Sequence, residues 1–198
     1  MALLKYKNVG ITGLSAAVPS NTIDNYTHDD YFSREEIREV IDKIGVKQRR
    51  FAGSDVCSSD LCFAAAEKLI SGMSVDRNEI DLLIFISQTP DYRMPATSVL
   101  LQERLRLNSD TIAFDVNLGC SAFLYGLTVA YSMLIAGGLR KVLILDGETR
   151  SKVYSQRDRK TAFLFGDGGV AALVERDERF GESWFSLNSD GSRADLIK

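Results

Sequence analysis

Apolar residues in this chain follow two rhythms, and the way they alternate predicts a fold class. Asp81-Leu-Leu-Ile-Phe-Ile-Ser87 and Lys141-Val-Leu-Ile-Leu-Asp-Gly147 are continuous apolar runs, and Thr111–Val116 is a shorter one. Runs of this kind suit strands buried on both faces. Other stretches follow a helical period. Ile37, Val40, Ile41 and Ile44 recur behind Ser33-Arg-Glu-Glu36, a capping box, and Gly45 is placed to close that helix in the left-handed conformation. Further helices are predicted from about Asp60 to Ser71 with Gly72 past the end, from Thr97 to Leu107 behind Pro95, and from Ala122 to Ala136 before Gly137-Gly138. Val9–Leu14 begins the fold as a short strand, and Pro19–Asp30 is a polar segment of turn formers. Val170–Val174 follows the preceding strand without a crossover helix, which predicts an antiparallel strand at a sheet edge. The alternation as a whole predicts an α/β fold with a largely parallel sheet between helices. The last segment, Trp184 to Lys198, starts as a strand and then runs into Ser-Asp-Gly-Ser without a domain ending, so the chain reads as part of a longer fold.

With 198 residues, the chain fits one domain or half of a larger two-part fold. Its 45% hydrophobic content supports a sizeable core. A net charge of −3 argues against general nucleic-acid binding, which relies on a basic surface. No apolar run is long enough to span a bilayer, and the first eight residues lack the apolar core of a signal peptide. Three cysteines are too few, and odd in number, for a disulfide framework; the expected setting is a reducing cytoplasm. Cys57 and Cys62 are not spaced as a metal knuckle, and Cys62 is expected to face the core.

Cys120 is different. It lies in Asn117-Leu-Gly-Cys-Ser121, between a buried strand and an apolar helix. A thiol there is next to unpaired backbone N–H groups and the positive end of a helix dipole. That setting favours the thiolate, which is the nucleophile, and thioester acyl transfer is the chemistry that suits it. Gly119 and Ser121 keep the approach open. Two familiar arrangements do not fit. His28 is the one histidine, in a polar loop expected to be solvated, so a papain-like pair lacks its base. A hydrolase elbow needs glycines two residues before and after the nucleophile, where this chain has Leu118 and Ala122.

The run Asp115-Val-Asn-Leu-Gly-Cys-Ser-Ala-Phe-Leu-Tyr-Gly-Leu127 resembles the active-site segment of β-ketoacyl-acyl-carrier-protein synthase III, and so does Phe165-Gly-Asp-Gly-Gly169. Gly45-Val-Lys-Gln-Arg-Arg50, Ile80–Ile86 and Asp158-Arg159 fit the same family, so the resemblance runs from about Val9 to about Leu196. It implies the N-terminal half of a thiolase-like fold, a mostly parallel mixed sheet between helices, with the C-terminal half outside this chain. It also implies that Cys120 takes an acyl group from an acyl-CoA primer. Malonyl-acyl-carrier protein then loses carbon dioxide and attacks the acyl-enzyme, assisted by a histidine and an asparagine of the other half; no cofactor is involved. Arg159 matches a residue that contacts the CoA nucleotide, and Lys43 falls where the family has an arginine nearby. Met94 matches a position that reaches across a homodimer interface to close the partner's acyl pocket. Glu39 departs from the family, which has there a tryptophan that stacks on adenine. The departure keeps open another thiolase-fold thioester synthase, or a non-catalytic half-domain.

Two further features have plainer readings. Gly166-Asp167-Gly168-Gly169 lacks the Lys-Ser/Thr of a phosphate loop and reads as a tight turn, with positive backbone angles at its glycines and Asp167 organising it. Arg150, Lys152, Arg157, Arg159 and Lys160, joined by Lys47, Arg49 and Arg50, read either as a docking patch for CoA phosphates or an acidic carrier protein, or as a solvated charged loop.

Overall fold

The computed structural model describes residues 2–28 and 30–196, so Met1, Asp29 and the last two positions of the expected terminal segment fall outside it. A five-stranded mixed sheet forms the centre. In chain order its strands are β2 (Val9–Ala17), β5 (Ile80–Ile86), β6 (Ile112–Val116), β7 (Lys141–Thr149) and β8 (Asp167–Arg176). Their spatial order is β2-β8-β7-β5-β6. Strands β5, β6 and β7 are mutually parallel, whereas β8 runs antiparallel to both of its neighbours.

Helices cover both faces. On one side α2 (Ser58–Met73) and α3 (Thr97–Arg104) bury Cys62, Ala65, Leu69 and Leu101 against Leu83, Phe85, Leu143 and Leu145. On the other, α4 (Ala122–Ala136) packs Leu127, Ala130 and Leu134 onto Leu82, Ile84, Val142 and Ile144. Alternate residues of β5 and β7 thus go to opposite cores, which is why their sequences are apolar without a break. A small ribbon, β1 (Ala2–Lys7) with β9 (Glu182–Leu187), adds Tyr6 and Phe185 beside α4. A second, β3 (Thr22–Asp24) with β4 (Gln48–Arg50), flanks α1 (Arg34–Ile44), whose Ile37 and Ile41 pack on Phe163.

Helix α1 follows its sequence closely: Ser33 and Glu36 form the reciprocal cap, and Gly45 closes it at φ +74°. Other expectations need correction. Strand β8 is antiparallel but interior, because β2 pairs along its other side. Gly72 lies inside α2, and Ser74 takes the left-handed closing position. Helix α3 stops at Arg104, and Leu105 makes the last turn. Ribbon strands β1, β3 and β4 were not foreseen. Gly166, Gly168 and Gly169 do not have positive φ; among the described glycines only Gly45 and Gly138 do. Gly169 is needed for close approach instead, since a Cβ there would stand 2.5 Å from the Cys62 backbone nitrogen.

Candidate active site

Strands β5 and β6 end level, Ile86 beside Val116, while β7 pairs Asp146 with Ile86 and runs three residues further to Thr149. The loops that follow meet at the carboxyl edge of the sheet, where open α/β sheets place their ligands. Cys120 is four residues past the end of β6 and two before the start of α4. Its side chain is exposed. The turn is closed by the Ala122 N–H donating to the Gly119 carbonyl at 2.8 Å, and the Tyr125 N–H donates to Ser121 at 3.3 Å. Among the described residues the Cys120 and Ser121 N–H groups donate to no backbone carbonyl, and no side chain caps α4. The sulfur therefore sits at an uncapped helix start, with free donors and the positive dipole end beside it.

The strand leading to Cys120 is anchored through Asp115. Its carboxylate accepts from the N–H groups of Thr97 and Ser98, at 2.7 and 2.8 Å, so a strand residue caps α3 in place of Ala96. The neighbouring 87–89 loop is equally fixed. Glu148 accepts from the Gln88 N–H at 2.8 Å and from the Thr89 hydroxyl at 2.7 Å. That hydroxyl accepts from the Thr149 N–H, the Ser58 hydroxyl donates to the Thr89 carbonyl, and Arg150 binds the Gln88 side-chain oxygen. These loops enclose a polar cleft of about 450 Å³ lined in part by Cys57, Asp91, Asn117 and Lys152. Asn117 brings the cysteine segment to its wall, while Cys120 stands outside it. Asp146, within β7 and level with the end of β5, has its carboxyl pushed up to about 6 by burial and secondarily by Glu148. Burial raises the Cys57 thiol, with Asp91 and Asp60 adding to it, and raises Cys62 far more. Cys62 is fully enclosed in the core, as its sequence position suggested.

Arg159 and Lys43 come together, although 116 positions separate them, because Glu39 bridges them. One Glu39 oxygen is 2.7 Å from Lys43 Nζ and the other 2.7 Å from an Arg159 guanidinium nitrogen. Hydrogen bonds from Lys43 and then Arg159 lower the Glu39 pKa. Met94 lies elsewhere, ahead of α3, 87% exposed and preceding Pro95 through a cis peptide bond. His28 is not a solvated surface group: its ring packs edge-on against Phe163 at 6.0 Å, and among the described residues its buried Nε2 has no hydrogen-bond partner. Asp167 ties two distant segments rather than its own turn, accepting from the Ala52 N–H at 2.7 Å and the Ser151 N–H at 2.9 Å.

The basic cluster does not form one free surface. Arg49 is buried and donates to Asn25 and the Phe165 carbonyl. Arg50 donates to the Ser20 carbonyl, Lys152 to the carbonyls of Ser54 and Val56, and Arg157 stacks over Tyr31. The anchoring roles of Asp115, Glu148 and Asp167 escaped the sequence reading. An acidic residue at the end of an apolar strand was the available signal, since a carboxylate there needs donors.

Known proteins bear on this geometry. Residues 114–191 match the family model described as 3-oxoacyl-[acyl-carrier-protein (ACP)] synthase III. A Campylobacter jejuni protein named as a 3-oxoacyl-[acyl-carrier-protein] synthase 3 is 36% identical over 199 aligned positions, which cover 98% of this chain and 55% of that protein. The crystal structure of a 3-oxoacyl-(acyl-carrier protein) synthase from Burkholderia xenovorans superimposes with a TM-score of 0.95 at 36% identity, covering 98% of this chain and 56% of that one. The synthase III structure from Thermus thermophilus gives 0.84 at 36% identity, over 94% and 57%. The chain spans about half the length of these relatives.

Proposed function

Since the chain belongs to the 3-oxoacyl-[acyl-carrier-protein] synthase III family, matching about the N-terminal half of its members, we propose that it carries the nucleophile of a condensing acyltransferase. The observation that carries this reading is the exposed Cys120 sulfur at the uncapped start of α4. Its thiolate attacks the carbonyl of an acyl-CoA primer, and the tetrahedral oxyanion is held by the Cys120 N–H and a donor from the other half of the fold. The carbon–sulfur bond to CoA breaks, CoA leaves as its thiol after taking up a proton, and the acyl group stays on Cys120. Malonyl-acyl-carrier protein then loses carbon dioxide. The carbanion formed attacks the acyl carbonyl, releases Cys120 and yields a 3-oxoacyl-acyl-carrier protein, the initiating step of fatty-acid synthesis.

Arg159 and Lys43 flank the donor's entry in this reading. The histidine and asparagine that assist decarboxylation belong to the C-terminal half, outside residues 1–198, so this chain alone is expected to condense negligibly. A homodimer is part of the proposal. Among the described residues strand β6 has a neighbour on one side only within the sheet, with Ile112 exposed, and Met94 is exposed as well. No helix among the described residues is long and apolar enough to cross a membrane, and a cytoplasmic setting is proposed.

The test is mass spectrometry of the full-length protein after incubation with acyl-CoA donors. An acyl adduct that disappears in Cys120→Ala is the expected result; no adduct from any short or medium donor rejects the assignment. Glu39 between Arg159 and Lys43 favours a second reading, another thioester synthase on this fold. Comparing products formed with malonyl-carrier protein, malonyl-CoA and acetyl-CoA separates the two.

A further inference from the structure

Arg159 and Lys43 are the two cations that the proposed reading places at the donor's entry, and both are held by a single carboxylate. Glu39 contacts each at 2.7 Å through a different oxygen. Glu36, one turn earlier on α1, is close enough to feel Arg159 as well. A phosphate arriving at Arg159 therefore meets a guanidinium already paired, with a second carboxylate nearby. It must displace Glu39 or bind beside it, and like charges at that distance oppose binding. The lowered Glu39 pKa means that the opposing charge is present at every pH near neutrality. The cluster is exposed, so water and salt moderate its strength without changing its sign.

We propose that Glu39 is a selectivity residue that weakens this entry's hold on phosphorylated nucleotides, leaving the acyl chain and pantetheine arm to carry donor recognition. The inference rests on the proposed condensing function, and it deepens that function by naming the part of the donor that the chain does not grip. Arg159 and Lys43 remain available cations once the carboxylate is neutralised, so removing one charge should strengthen nucleotide binding rather than abolish it.

The experiment is calorimetric titration of adenosine 3′,5′-bisphosphate into the full-length protein at low ionic strength, for the parent, Glu39→Gln and Glu35→Gln. Glu35 lies on the same helix and has no ion pair to Arg159 among the described residues. E39Q should bind about three- to fivefold more tightly than the parent, the upper scale of one exposed charge contact, and the gain should fade with added salt. E35Q should change affinity less than about twofold, because screening weakens a charge not in contact. E39Q no tighter than the parent, including no measurable binding by either, overturns the proposal, and so does an equal gain in E35Q. The Cys120 adduct is scored separately. An adduct with unchanged nucleotide affinity sinks this inference alone, whereas a tighter E39Q with no adduct sinks the enzymatic reading and leaves the electrostatic role.

Discussion

Two glycines let α2 lie flush on the sheet beneath the candidate site, and replacing each by alanine should fail in a different way. A Cβ on Gly169 would meet the Cys62 backbone nitrogen at 2.5 Å, the Leu61 carbonyl carbon at 2.6 Å and the Leu61 Cβ at 2.9 Å. Ordinary contacts need about 3.5 Å, so the helix backbone would have to retreat by roughly 1 Å. A Cβ on Gly147 would meet the Cys62 sulfur at 2.5 Å, whereas its backbone neighbours, the Ser58 and Gly168 carbonyl oxygens, are at 3.2 and 3.3 Å. Gly169→Ala should therefore cost about 3 kcal/mol and Gly147→Ala about 2 kcal/mol, within the range of overpacked cores. Cys62→Ala alone should cost about 1 kcal/mol for the lost buried sulfur. Combined, the outcomes diverge. Removing the sulfur vacates the space that the Gly147→Ala methyl needs, so that pair should fall short of additivity by at least about 1 kcal/mol. Gly169→Ala collides with backbone that Cys62→Ala leaves in place, so the second pair should add. Urea midpoints followed by circular dichroism measure all five variants. Additivity within about 0.5 kcal/mol for Gly147→Ala with Cys62→Ala would refute the packing argument. The function is tied to this contact, because the first residue of α2, Ser58, holds the Thr89 carbonyl at 2.7 Å beside the site.

Cysteine reactivity and pH dependence provide two further tests. Iodoacetamide near neutral pH should label Cys120 first, the half-buried Cys57 more slowly, and the enclosed Cys62 only after unfolding. Peptide mapping that finds Cys62 modified in the native chain as fast as Cys120 would contradict the burial pattern. Asp146 is the pH probe. Its carboxyl rises from 3.8 to about 6 on folding, so between those values the native chain holds a proton that the unfolded chain has released. Stability from this group therefore increases as pH falls through about 6, levels off below 3.8, and is absent above both values. Asp146→Asn should stabilise the chain at pH 7 to 8 and flatten the slope between pH 4 and 6. Denaturation midpoints of the two proteins that change in parallel across that window would rule this out.

What could be read from the chain in one dimension was whatever depends on neighbours in sequence. Ser33 and Glu36 are three residues apart, and Gly45 needs only its own backbone angle, so α1 was legible end to end. The apolar runs of β5 and β7 identified doubly buried strands, and Cys120 stood out because its strand, turn and helix are contiguous. The interior position of β8 was not legible, because it depends on β2, which precedes it by about 150 residues and supplies its second row of hydrogen bonds. The basic residues looked like one patch until folding gave Arg49 to Asn25 and Arg159 to Glu39. Asp115 and Asp167 carry no local mark of the N–H groups they satisfy. Period and capping are short-range effects that a linear pattern encodes. Charge partners, strand order and the space beside a glycine are long-range, and they exist only after the chain has closed on itself.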